Sequence, residues 1–139
     1  MIYTIKIKLI SGLCASDDWE CNIEIPSNFN LADFHLVLQD LLAFDDDHMY
    51  TFYTANSERG TPIDRFECEN EKIEEISVSD FVLSSKGKKA FYSFDSGDSW
   101  LFRISNSRKK PYQPIAGIEY PRVISEIGVK PEQYPTWEE

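Results

Sequence analysis

The stretch Lys89-Ala90-Phe91-Tyr92-Ser93-Phe94-Asp95-Ser96-Gly97-Asp98-Ser99-Trp100-Leu101-Phe102-Arg103-Ile104-Ser105 decides the fold class. Residues 89 to 94 and 99 to 105 alternate apolar and polar side chains, the period of a strand with one buried face. Between them lies a short acidic turn, with Gly97 as the residue that enters positive φ without steric cost. A β-hairpin is the reading. Its two aspartates, three positions apart, can bond turn amides, hold a cation or meet basic groups of a partner.

Working outward from the hairpin, residues 2 to 10 also alternate with period two, and residues 19 to 25 do so again before Pro26. Together they read as two strands, with a break at Ser11-Gly12. One helix follows. Asn30 is a good N-cap, Asp33 lies three residues on, and Leu31, Phe34, Leu38, Leu41 and Leu42 recur at helical spacing. Asp45-Asp46-Asp47 ends it, and residues 48 to 54, rich in Tyr, Phe and Thr, read as a third strand. Residues 55 to 77 carry Gly60, Pro62 and several glutamates, the composition of a largely solvated loop with room for a short edge strand. Residues 78 to 83 fit a short helical turn. After Ile104, five of the seven prolines crowd the end of the chain, and Tyr112, Ile118, Tyr120, Val123, Ile127 and Trp137 are apolar anchors that would lay this tail on the domain.

The expectation is therefore an α+β fold in a single domain spanning 1–139. It comprises a sheet-and-helix body over 1–105 and a proline-rich wrapping tail over 106–139. The sheet is expected to be mixed, with about five or six strands in β-grasp-like order around one main helix. At 139 residues the chain is long enough to bury a core, and 42% hydrophobic residues with nine Phe, seven Tyr and three Trp exclude a disordered composition. The net charge of −10 repels phosphate backbones and anionic bilayers, which weighs against non-specific nucleic-acid binding and a membrane partner. No basic start with an unbroken apolar run opens the chain. Cys14, Cys21 and Cys68 are odd in number and form no Cys-x-x-Cys pair, the pattern of reduced, inert thiols in a cytoplasmic protein.

The motifs Phe34-His35-x-x-Leu38-Gln39, Phe44-Asp45-Asp46-x-His48, Phe94-Asp95-x-Gly97-Asp98-x-Trp100 and Tyr120-Pro121-Arg122, in this order, resemble the plasmid pRiA-four-b ORF-three-like family. That family is also called insertion-element passenger, TnpR-like. The resemblance runs from about residue 2 to residue 135. It implies a small α+β domain found on plasmids, mobile elements and chromosomes, with no established activity. This chain departs from the family pattern at Glu20 and Cys21, where basic residues are usual, and at Phe102, where histidine is common. Its last segment is reduced to Lys130-Pro131-Glu132-Gln133-Tyr134-Pro135.

Two constellations carry candidate chemistry. His35, Asp45, Asp46, His48, Asp95 and Asp98, with Trp100 beside the turn, supply the carboxylates and imidazoles that a divalent metal or an acid–base pair would use. The competing reading is that the aspartates cap turns and His35, on the apolar helix face, is a hydrogen-bonded core residue. The second is basic: Lys86, Lys88, Lys89, Arg103, Arg108, Lys109 and Lys110, seven of the 14 basic residues, flank the hairpin at the end away from its tip. No nucleophile elbow and no phosphate-binding glycine loop is present. The residues thus favour a cytoplasmic, non-enzymatic interaction module with a protein partner of unknown identity and no cofactor. The rival readings are a nucleic-acid accessory protein acting through the basic end and a metal-dependent hydrolase acting through the Asp/His set.

Overall fold

The computed structural model describes residues 1–12, 18–58, 60–84, 87–95, 97 and 99–133. Among these residues seven strands form one sheet: β1 (Ile2–Ser11), β2 (Trp19–Pro26), β3 (Tyr50–Ala55), β4 (Asp64–Glu67), β5 (Lys89–Phe94), β6 (Trp100–Asn106) and β7 (Arg122–Gly128). Two helices, α1 (Leu31–Leu42) and α2 (Val78–Ser84), and a 3-10 turn at Glu71–Glu74 complete the α+β fold. No helix among the described residues is long and apolar enough to cross a membrane.

The strand order is β4-β3-β5-β6-β1-β2-β7, and every pairing is antiparallel. This corrects the expected mixed sheet of five or six strands, and with it the parallel pairing that a β-grasp order needs. The expected hairpin is β5–β6, with Phe94 opposite Trp100. The extra strand comes from the proline-rich tail. Residues 122 to 128 lie between Pro121 and Pro131, contain no proline themselves, and pair with β2 from Arg122 opposite Glu24 to Trp19 opposite Gly128. Gly128 has a φ of 90°, and a Cβ there would collide with the Asp18 carbonyl. The tail residues Pro135 and Trp137 lie outside the described residues.

Helix α1 starts where the sequence places it. Asn30 Oδ1 accepts from Asp33 N at 2.8 Å while Asp33 Oδ2 accepts from Asn30 N at 3.3 Å, a reciprocal cap that satisfies two otherwise orphaned donors. It buries Leu31, Phe34, His35, Leu38, Gln39 and Leu42, and ends at Ala43 in the left-handed region. Against this face packs the core side of the sheet: Ile5 and Ile7 of β1, Trp19 and Ile23 of β2, Phe52 of β3, Tyr92 and Phe94 of β5, Phe102 of β6. Phe34 stacks on Phe52 at 5.6 Å between ring centres, and Phe81 of α2 meets the same Phe52 edge-on.

The tip of the hairpin differs from expectation in one respect. Among the described residues of the tip, the left-handed ones are Asp95 (φ 56°) and Ser99 (φ 55°), and Gly97 is not one of them. Asp95 tolerates this conformation because its carboxylate accepts from Gly97 N at 3.1 Å, the local bond through which Asx residues stabilise turns.

Candidate functional site

His35 lies on the buried face of α1, one helical turn before Gln39, and Tyr92 lies opposite them at the centre of β5. The spacing of four residues brings both side chains over one point of the sheet. Tyr92 OH lies 2.7 Å from His35 Nδ1 and accepts from Gln39 Nε2 at 2.9 Å. His35 Nε2 lies 2.7 Å from Asp46 Oδ1. A single proton arrangement satisfies all three contacts with a neutral ring: Gln39 N–H donates to Tyr92, Tyr92 O–H donates to Nδ1, and Nε2–H donates to Asp46. Tyr50 stacks flat on the imidazole, 3.6 Å between centres and 10° between planes.

This chain runs inward from a half-exposed carboxylate to a fully buried phenol. Burial lowers the pKa of His35, and the Asp46 carboxylate opposes that shift without reversing it. Burial raises the Tyr92 phenol far above its ordinary value. A carboxylate, an imidazole and a hydroxyl in series have the pattern of a proton relay. Here, however, the hydroxyl is 0% exposed and both of its neighbours are spent within the core. The set ties α1 and the Asp46 loop to β5.

His48 belongs to a separate group. Its Nε2 lies 3.3 Å from Asp95 Oδ2 and 3.7 Å from Asp47 Oδ1. Asp95, 6% exposed, is held by the turn amides, and its own N–H donates to Met49 O at 3.1 Å. Asp47 Oδ1 accepts from Gln133 Nε2 at 3.0 Å, and the same amide side chain both donates to and accepts from the Asp45 backbone. Gln133, itself buried, thus clamps residues 45 to 47.

Of the expected polar set, His35 and Asp46 are joined, and His48 and Asp95 are joined, but the two pairs serve different tethers. Asp45 acts through its backbone. Trp100 is a core wall at 0% exposure, in contact with Phe44 at 5.1 Å, and its Nε1 has no hydrogen-bond partner among the described residues. A Cβ on Gly12 would collide with its ring. Asp98 lies outside the described residues. Among those described, no three His, Cys, Asp or Glu side chains are placed to share one metal ion.

The basic set is likewise divided. Lys88, Lys89 and Arg103 line one groove at the end of β5 and β6. Arg108, Lys109 and Lys110 lie beyond β6 and are exposed, and Lys109 acts electrostatically on Glu24. Lys86 lies outside the described residues.

Sequence reasoning missed a third cluster. Glu24 of β2, 5% exposed, accepts from Arg122 Nε and from Tyr112 OH, both at 2.6 Å, with Tyr120 OH 3.2 Å from Tyr112 OH. Burial pulls the Glu24 pKa upward, but the hydrogen bonds from Tyr112 and Arg122, with the Arg122 charge, outweigh it and hold the carboxyl below its ordinary value. The quoted motif Tyr120-Pro121-Arg122 thereby acquires a role: it locks the tail segment to β2. The signals in the sequence were Glu24 between two isoleucines of β2 and the Tyr120-Pro121-Arg122 motif, with nothing local to connect them.

An antiparallel seven-stranded sheet with its helices against the core face, and buried His–Tyr and Glu–Arg ties, defines a small α+β class of protein. The chain belongs to the family of plasmid pRiA4b ORF-3-like proteins, whose model matches residues 1–133. A protein of unknown function from Methanosarcina mazei Go1, known from its crystal structure, has the same fold. Its TM-score is 0.70 at 23% identity, over 90% of this chain and 68% of that one. No curated protein matches the chain.

Proposed function

We propose that this family member is a cytoplasmic, non-enzymatic interaction module that adds an extended segment of a partner protein to the open edge of β7. The observation that carries this reading is the contrast between the two sheet edges. β4 is four residues long and presents Asp64, Arg65 and Glu67, the short charged edge that resists further pairing. β7 is seven residues long, and among the described residues no backbone bond joins its outer side. Val123 and Ile127 on it, and Val129 just beyond, are 46%, 64% and 67% exposed.

Val123 opens onto a groove formed with Ile23, Val37 and Leu41, an apolar lining suited to one side chain of an added strand. Charge selects the partner. Asp40 borders that groove, Asp18 borders Ile127 together with Lys8 and a Glu20 paired to Lys6, and Arg122 is committed to Glu24, so Asp40 and Asp18 are the carboxylates left to meet a partner. The chain as a whole carries −10, which disfavours a second copy of itself. The occupant that fits is an extended segment alternating apolar and basic residues, bound by strand addition. The commitment of the His35, Tyr92, His48 and Asp95 side chains to internal contacts supports binding over catalysis.

The test uses an alternating valine–lysine peptide as probe and amide NMR shifts of the full chain as readout. Shifts concentrated on residues 122 to 129, absent with a valine–glutamate peptide and absent in Ile127→Lys, are expected. Equal binding of both peptides, or shifts centred elsewhere, would overturn the reading.

A further inference from the structure

The basic groove at the other end of the sheet is a second and independent surface. Arg103 stands opposite Lys8 on β1 and opposite Phe91 on β5, so Lys89, two residues before Phe91 on the same face, is its diagonal neighbour. Directly opposed side chains lie about 5 Å apart at Cβ and diagonal ones about 7–8 Å, and like charges so placed are destabilising. Among the described residues none of Lys8, Lys89 and Arg103 has a carboxylate within ion-pair distance. Lys88 has, among the described residues, Asp64 alone, at 3.9 Å. The Nε of Arg103 is buried without an acceptor among the described residues. A donor withdrawn from water and left unbonded is costly, and in a charged group more so. The groove adds the neutral donors Ser105 and Asn106 and the half-exposed Leu83.

We propose that this groove binds a phosphomonoester, with Arg103 presenting its two Nη groups to two phosphoryl oxygens and Lys89 and Lys88 balancing the remaining charge. A monoester carries close to two negative charges near neutral pH, concentrated on three oxygens, which matches a compact cluster of cations. The planar guanidinium grips such an anion through two parallel bonds. An extended polyanion is the poorer fit, since beyond the groove it meets a chain of net charge −10.

The experiment is an amide NMR titration of the full chain with inorganic phosphate, O-phosphoserine and an oligothymidine. Saturable shifts at residues 88, 89 and 103 to 106 with phosphate and phosphoserine are expected. Arg103→Lys, which keeps the charge but loses the fork, should weaken phosphoserine binding by about tenfold or more while the amide spectrum stays that of the folded parent. Lys89→Gln should weaken it less. If phosphoserine gives no saturation at millimolar concentration, or binds Arg103→Lys as tightly as the parent, the site is refuted. If oligothymidine binds more tightly than phosphoserine, the surface is one for nucleic acid and the monoester assignment falls.

Discussion

Tyr92→Phe removes one oxygen atom from the centre of the fold and leaves the ring in place. In the parent, that hydroxyl serves His35 Nδ1 at 2.7 Å and Gln39 Nε2 at 2.9 Å, and it is fully buried. Its loss strands two polar groups that water cannot reach. Each buried orphan costs about 1 to 3 kcal/mol. The two orphans share one vacancy, and the costs of neighbouring groups do not add. The expected loss is therefore about 2 to 4 kcal/mol, read from urea unfolding with an unchanged m-value. Gln39→Leu in the Tyr92→Phe background should cost little more, because it removes one of the two orphans. Among the described residues Gln39 Oε1 is already without a partner, which makes the apolar replacement the better tolerated. A loss below about 0.5 kcal/mol for Tyr92→Phe would refute the argument that the Asp46–His35–Tyr92–Gln39 chain ties the helix to the sheet.

Leu38 is 0% exposed in the α1 interface, so Leu38→Ala should cost about 2 to 5 kcal/mol in the same assay, and a loss under about 1 kcal/mol would mean that the helix face is misassigned. Burial, reinforced by Glu126, pushes the Cys21 thiol up to about 12, whereas Cys68 is half-buried. Alkylation at neutral pH followed by peptide mass mapping should label Cys68 well before Cys21. The folded-state pKa of Glu24 lies below its unfolded value, so its contribution to stability is present above the unfolded pKa and is lost as pH falls through the folded one. Glu24→Gln should flatten part of the acid limb of a stability-versus-pH curve, and an unchanged limb would show that the Arg122 and Tyr112 bonds do not discriminate the charged form.

What the sequence made legible were local matters. The Asn30–Asp33 cap, the apolar stripe of α1 and the alternation in β1, β2, β5 and β6 each depend on residues within a turn or a strand of one another, and each is found where expected except that Leu41 is only partly buried, at the rim of the stripe. β7 was hidden because prolines on either side suggested an irregular tail, and only its pairing with a strand about a hundred residues earlier makes it a strand. The same distance in sequence hid the site partners: Tyr92 is 57 residues from His35, and Arg122 is 98 from Glu24. Asp46 and His48 were recognised as polar and close in sequence, but their separation into two tethers depends on where β5 and the Gln133 segment pass. At Gly97 composition misled, because the Asx bond of Asp95 lets a non-glycine residue take the left-handed position.

The claim that the motif histidines are structural ties rather than members of a metal or acid–base centre is tested most directly by ring-nitrogen NMR of His35 and His48 across pH, with and without zinc. The account predicts that His35 is a neutral ring protonated at Nε2. Because burial lowers its pKa in the fold, stability should be fully present above about 6.5, the unfolded value, and decline as pH falls below it. Zinc at equimolar concentration should leave the His35 resonances unmoved. A His35 ring that is charged at neutral pH, or a stoichiometric zinc-induced shift of both rings together, would contradict it.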